Sequence, residues 1–337
     1  MPDNYIHEIF DSQPAFFEGF ETFCYQNCQR LLLKAQGVEY PELYINASLL
    51  MDFNANDGEV LKGKDMRSLL PSHIKNVKRF FDEAAPAEDI FNENIRYMTE
   101  NDSPVIAGID SYYLPYASNY MKNHARHTLI LCGFDLKSKE VSVIDWYPPW
   151  FYKGKVPLAE FLAGRQSGNP DDGTLFSGKS IGNNWAYIER FEQDRPKKLL
   201  KELFSTVKDN YYDCTDSGGI YHGTAAVVRI KEYLNSLQDS DKFAALYKQL
   251  NIAARRYRLF KQYLECYLQA DTYEGIAECL DCAGKVAENW DIVLMLILKT
   301  GRLRSEKNVQ RLNLKMNELL YAEEQLKRNI FNIYESL

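Results

Sequence analysis

The chain has 337 residues, 45% of them hydrophobic and 26% charged, with 23 Tyr, 18 Phe, 4 Trp and a formal net charge of −7. That length exceeds the size at which one hydrophobic core stops growing, so two domains are expected. The composition suits a globular protein, no run is long and apolar enough to span a bilayer, and the acidic balance makes nucleic acid a poor partner.

The opening stretch "MPDNYIHEIFDSQPAFF" has no basic region followed by an apolar run, which predicts a cytoplasmic chain whose seven cysteines are free thiols. "ETFCYQNCQRLLLKAQG", residues 21–37, reads as an amphipathic helix. Gly19 breaks the chain ahead of it and Thr22 is a candidate N-cap; Leu31, Leu32 and Ala35 share a face, and Gly37 ends it. Cys24 then lies in the first turn, where free backbone N–H groups and the helix dipole favour a thiolate, the nucleophilic form of cysteine. Cys28, one turn on, continues into the leucines and reads as a small hydrophobe.

Three short β-branched, apolar runs follow, "PVIAGID" (104–110), "HTLILCGFD" (127–135) and "EVSVIDWY" (140–147), and predict strands of one sheet. Residues 161–184, dense in Gly, Ser, Asn and Asp, predict a long loop, and the domain boundary is expected inside 165–190, giving domains 1–185 and 186–337. From about 195 the pattern is helical. Val309, Leu312, Met316, Leu319, Leu326, Ile330 and Ile333 form one stripe, as expected of a bundle core. Two local basic patches, 195–203 and 253–262, stand out from the acidic background.

The second and third runs form a hairpin about "DLKSK". Closed symmetrically about Lys137, it puts Leu129 opposite Asp145 and His127 opposite Tyr147, all on one side, with the His127 imidazole in reach of the Asp145 carboxylate. A helix-start thiol, a strand histidine and a strand aspartate are the nucleophile, base and orienting acid of acyl-transfer chemistry, in the chain order of papain-like enzymes. Competing signals are thinner. "GTLFSGKS" (173–180) has the P-loop spelling but neither a strand before it nor a helix after it. His124, His127 and Cys132 suggest a metal only until strand alternation sends His127 and Cys132 to opposite faces; Cys279 and Cys282 are a lone CxxC in a helical stretch. No metal or other cofactor is expected. His222 precedes a helix as a cap or cleft residue.

"FCYQNCQRLLLKAQG", "VIAGIDSYYLPY" and "HARHTLILCGFD" followed by "VSVID" together resemble the butirosin biosynthesis protein H family, relatives of C39-like and papain-like cysteine peptidases, over roughly residues 15–165. The resemblance implies an α+β chain: a papain-like (C39-like) cysteine protease fold with an appended helical C-terminal region. It implies transfer of an acyl or peptidyl chain from a carrier-protein thioester, held on phosphopantetheine, to a small amine in antibiotic biosynthesis. It also points to the amide-forming enzymes of closthioamide assembly, and so to a diamine acceptor. By position Cys24 matches the nucleophile, His127 the base and Asp145 the orienting acid, while Asp110, Tyr113, Leu114 and Pro115 match a block lining the cleft. Tyr112, Tyr113, Tyr116, Trp146 and Trp150 would keep that cleft dry, so that amine rather than water reaches the intermediate. The sequence departs from the pattern after the nucleophile, where Tyr25 replaces an acidic residue, and six residues before it, where Glu18 stands for the oxyanion glutamine and Gln13 is the nearest upstream one. A cysteine hydrolase of the same fold, and a binding protein with an inactive peptidase fold, are the alternatives.

Overall fold

The computed structural model describes residues 2–8, 23–61, 69–147, 150–174 and 176–337, with the side chains of Trp146, Tyr147 and Trp150 left undescribed. In chain order the elements are β1 (Asn4–Ile6), α1 (Cys24–Ala35), β2 (Asp52–Asn54), β3 (Glu59–Val60), β4 (Val77–Phe80), α2 (Ala87–Asn101), β5 (Val105–Asp110), β6 (Arg126–Asp135), β7 (Glu140–Tyr147) and β8 (Trp150–Pro157). There follow α3 (Leu158–Gln166), β9 (Trp185–Ile188), α4 (Pro196–Val207), β10 (Ile220–His222), α5 (Gly223–Ser236), α6 (Ser240–Ala270), α7 (Ile276–Arg302) and α8 (Glu306–Ser336). The chain is therefore α+β. It divides into two compact units, Met1–Pro41 with Pro71–Gln193, and Glu42–Leu70 with Asp194–Leu337. The single cut expected at 185 falls inside this pattern: β9 lies in the middle of the first sheet, and Glu42–Leu70 belongs with the helices.

In the first unit an antiparallel sheet runs β4-β9-β5-β6-β7-β8, with β1 also pairing β6. All six residues of β5 are buried, because helices cover it rather than solvent. Phe91, Ile95 and Met98 of α2 and Phe161 of α3 pack with Val105, Ala107, Ile109, Leu129, Leu131, Phe134 and Val143 in one core. Phe134 joins the odd-numbered residues of its own strand because the β6–β7 pairing slips by one residue between Leu131 and Gly133, a bulge that reverses the alternation. The first six residues of the expected loop, 161–166, are the last turns of α3. Gly164 sits where a Cβ would come 2.6 Å from Ile109 Cγ1, so it permits close helix-to-strand packing rather than a turn.

In the second unit three helices of 31, 27 and 31 residues, α6, α7 and α8, pack in succession. Six of the seven residues in the predicted stripe of α8 are buried and Val309 is half-buried. The stripe is interrupted by a carboxylate, Glu323, which is 0% exposed. A small sheet, β10-β2-β3, closes the unit by pairing His222 with Asp52 across 170 residues. Lys197, Lys198 and Lys201 of the first basic patch lie on the solvent side of α4. In the second patch Arg256 donates to the Leu50 carbonyl and Arg258 pairs with Asp291. Among the described residues no helix is long and apolar enough to cross a membrane.

Candidate active site

Helix α1 begins at Cys24 itself. Phe23 occupies the N-cap position and makes no side-chain cap bond, and the first intrahelical bond runs from Asn27 N–H to the Phe23 carbonyl at 3.1 Å. The N–H groups before it in the first turn have no intrahelical acceptor, so the partly exposed thiol sits at the positive end of the helix. Thr22, Gly19, Glu18 and Gln13, which the sequence marked as cap, break and oxyanion candidates, lie outside the described residues. Residues 25–33 are all buried, including Cys28, whose Sγ lies 3.9 Å from Thr128 Oγ1. Burial, then the neighbouring Cys24 and Asp145, holds the Cys28 thiol well above its ordinary value, so it packs as a neutral thiol.

The backbone pairs of β6 and β7 run from Asp135–Glu140 to Ile130–Ile144 and stop. Beyond them the link is made by side chains. His127 Nε2 lies 2.8 Å from Asp145 Oδ1 and 2.9 Å from Oδ2, with both residues buried. Cys24 is a hydrogen-bonding neighbour of the same ring. Burial by itself pulls the imidazole down, but the charge and hydrogen bond of Asp145, and then the contact with Cys24, outweigh it and hold His127 well above its usual range.

The other residues expected at the cleft divide into two groups. Asp110 is 0% exposed, and its carboxylate accepts from the N–H groups of Tyr112 and Ala125 at 3.1 Å each and from Ser167 Oγ at 2.6 Å, and lies 2.7 Å from His124 Nδ1. With those partners it anchors the ends of the 111–125 loop and presents no oxygen to a ligand. Tyr112 and Tyr113 are half-buried; Tyr112 stacks on His124 and Tyr113 meets it edge-on. Tyr116 reaches the His127–Asp145 pair: its hydroxyl donates to Asp145 Oδ2 at 2.8 Å. Leu114 is fully buried and Pro115 exposed. Trp146 lies opposite Phe151 in the β7–β8 pairing, its side chain outside the description together with that of Trp150.

The competing motifs resolve locally. After 173–180 the next element is a strand, β9, and the Gly178 N–H is bonded to the Asn169 carbonyl, which removes the helix start a phosphate cradle requires. His124 pairs with Asp110, while Cys132 donates to the Ser142 carbonyl at the bulge. Among the described residues no group of three or more His, Cys, Asp or Glu could hold a metal ion. Cys279 is buried in α7 and Cys282 half-buried beside Asn329. His222 stands at the N-cap position of α5, its Nδ1 2.9 Å from Asp52 Oδ1.

No curated protein matches the chain. Residues 24–146 match the family described as Butirosin biosynthesis protein H, N-terminal. The match opens on Cys24 and ends one residue past Asp145, so the three residues that meet at the imidazole span it. The chain is similar to that family over residues 24–146 of its 337.

Proposed function

We propose that the chain is a cysteine-dependent acyltransferase of antibiotic biosynthesis, with a papain-like first unit, that moves an acyl or peptidyl group from a carrier-protein thioester to a small amine. The observation that carries this is the His127 ring, met by the Asp145 carboxylate at Nε2 and neighboured by a thiol at a helix start. A protonated imidazole stabilises a neighbouring thiolate. Cys24 thiolate attacks the thioester carbonyl of the phosphopantetheine-bound chain. The tetrahedral intermediate expels the pantetheine sulfur, which takes its proton from His127, and leaves the acyl group on Cys24. The acceptor amine then attacks, His127 removes its proton, and collapse releases the amide and restores the thiolate. One thioester replaces another in the first half, so little driving force is needed. In this reading the N–H groups at the start of α1 serve as donors to the oxyanion.

The test is intact-mass measurement after incubation with acyl-pantetheine thioesters. Wild type should gain one acyl group at Cys24 and lose it to an added amine as the corresponding amide, whereas Cys24→Ala should gain nothing. Release as free acid at the same rate with and without amine would make the chain a hydrolase, and loading that persists in Cys24→Ala would end the mechanism.

A further inference from the structure

The Asp145 carboxylate carries a second bond that the triad chemistry does not require. Tyr116 donates to Oδ2 at 2.8 Å, the same oxygen that lies 2.9 Å from His127 Nε2. Its ring is clamped against Tyr152, centroids 3.7 Å apart and planes within 12°. Tyr152 stands directly opposite Asp145 in the β7–β8 pairing and is tied down through its own hydroxyl, which donates to the Lys155 carbonyl at 2.8 Å. The loop that delivers Tyr116 is pinned at its root by the buried Asp110 carboxylate, which accepts from Tyr112 and Ala125 N–H. A phenol held this way next to a carboxylate can only donate, and burial, followed by the Asp145 charge, keeps it neutral.

We propose, building on the acyltransferase reading, that Tyr116 is a positioning residue of the Cys24–His127–Asp145 site. Its hydroxyl fixes the carboxylate against the imidazole and shares its charge, and so sets the pH up to which His127 stays protonated. The titratable groups around this bond are His127 on β6, Asp145 on β7, Tyr152 on β8, and Cys24 and Cys28 on α1. Removing the hydroxyl leaves the carboxylate with an undivided charge facing the imidazolium, so His127 should hold its proton to higher pH.

The readout is the pH profile of Cys24 alkylation by iodoacetamide, resolved from the other cysteines by peptide mass spectrometry. It needs no knowledge of the acyl chain. Tyr116→Phe, which keeps the stacked ring, should move the alkaline limb up by about half a pH unit, the shift expected from losing one ordinary hydrogen bond. Should that variant fold poorly, 3-fluorotyrosine placed at 116, a stronger donor, should move the limb down. A limb that stays put, or moves opposite to these directions, overturns the assignment while leaving a fast, pH-dependent Cys24 intact. If wild-type Cys24 reacts no faster than the partly exposed Cys214 and Cys282, the triad reading fails and the Tyr116 assignment falls with it.

Discussion

His127 is buried, and burial alone disfavours its charge, so any imidazolium there depends on Asp145. Asp145→Asn keeps a hydrogen-bonding side chain of the same shape but deletes the charge. The imidazole should then lose its proton at lower pH, because desolvation is no longer opposed by a full negative charge. The sign follows: a less basic ring leaves the shared proton on the Cys24 sulfur, so a smaller fraction of the chain holds the proposed thiolate–imidazolium pair. At pH 7.5 alkylation of Cys24 should fall at least about tenfold relative to wild type, one pKa unit being one decade. A rate–pH curve for Asp145→Asn that overlays the wild-type curve would show that the carboxylate does not control the ring. Asp110 is the contrasting carboxylate. It is also fully buried, but four donors surround it, and its consequence is a rigid loop rather than reactivity.

At the scale of elements, the helical unit holds a polar centre that its hydrophobic pattern conceals. Glu323 of α8 accepts from Tyr257 of α6 at 2.5 Å and from Tyr211, in the π-helical turn Lys208–Tyr212 after α4, at 3.0 Å. Burial pushes its carboxyl up to about 7 from an ordinary 4.5, against the lowering effect of the two tyrosine hydroxyls. Below pH 4.5 the folded and unfolded chains both hold this proton and no penalty exists. As pH rises towards 7 the unfolded chain loses the proton first, and the folded state is destabilised by about 3 kcal/mol at the upper end. Glu323→Gln removes that dependence, so urea midpoints of wild type and variant should separate in the variant's favour between pH 5 and 8. Parallel midpoints across that range would mean that Glu323 ionises as freely in the fold as out of it. The junction of β10 and α5 is the other sensitive point. Gly223 has φ +54°, and a Cβ there would lie 1.6 Å from the Tyr211 carbonyl oxygen. Gly223→Ala should therefore cost more than about 2 kcal/mol, measured in the same urea titration, since a left-handed backbone and a backbone clash coincide.

For the whole molecule, the two units are interleaved in sequence. β9, at Trp185–Ile188, pairs with both β4 and β5, so a fragment ending at 185 lacks the strand that joins them. A fragment starting at 186 lacks β2, the partner of β10, and the Met51 carbonyl that accepts the Gly223 N–H. Fragments 1–185 and 186–337 should each show little cooperative unfolding by circular dichroism. A steep urea transition in either would show that the missing strand is dispensable.

The placement of the candidate residues was legible where it rests on local rules. Helical periodicity puts Cys24 in the first turn of α1, although Phe23 rather than Thr22 holds the N-cap position, and a hairpin with a short turn constrains which residues meet across it. The register at the His127 end agrees with symmetric closure about Lys137 even though the turn has four residues rather than five, because the bulge near Cys132 restores the offset. Neither irregularity leaves a mark in composition. What only the tertiary structure decided are the long-range partners: Tyr116 on Asp145, β9 between β4 and β5, Glu42–Leu70 with the helices, and Glu323 between two tyrosines. Period and propensity report what a residue does to its neighbours in the chain. These contacts join groups 29 to 206 residues apart, and chain-local patterns carry no trace of which distant group will satisfy a buried polar atom.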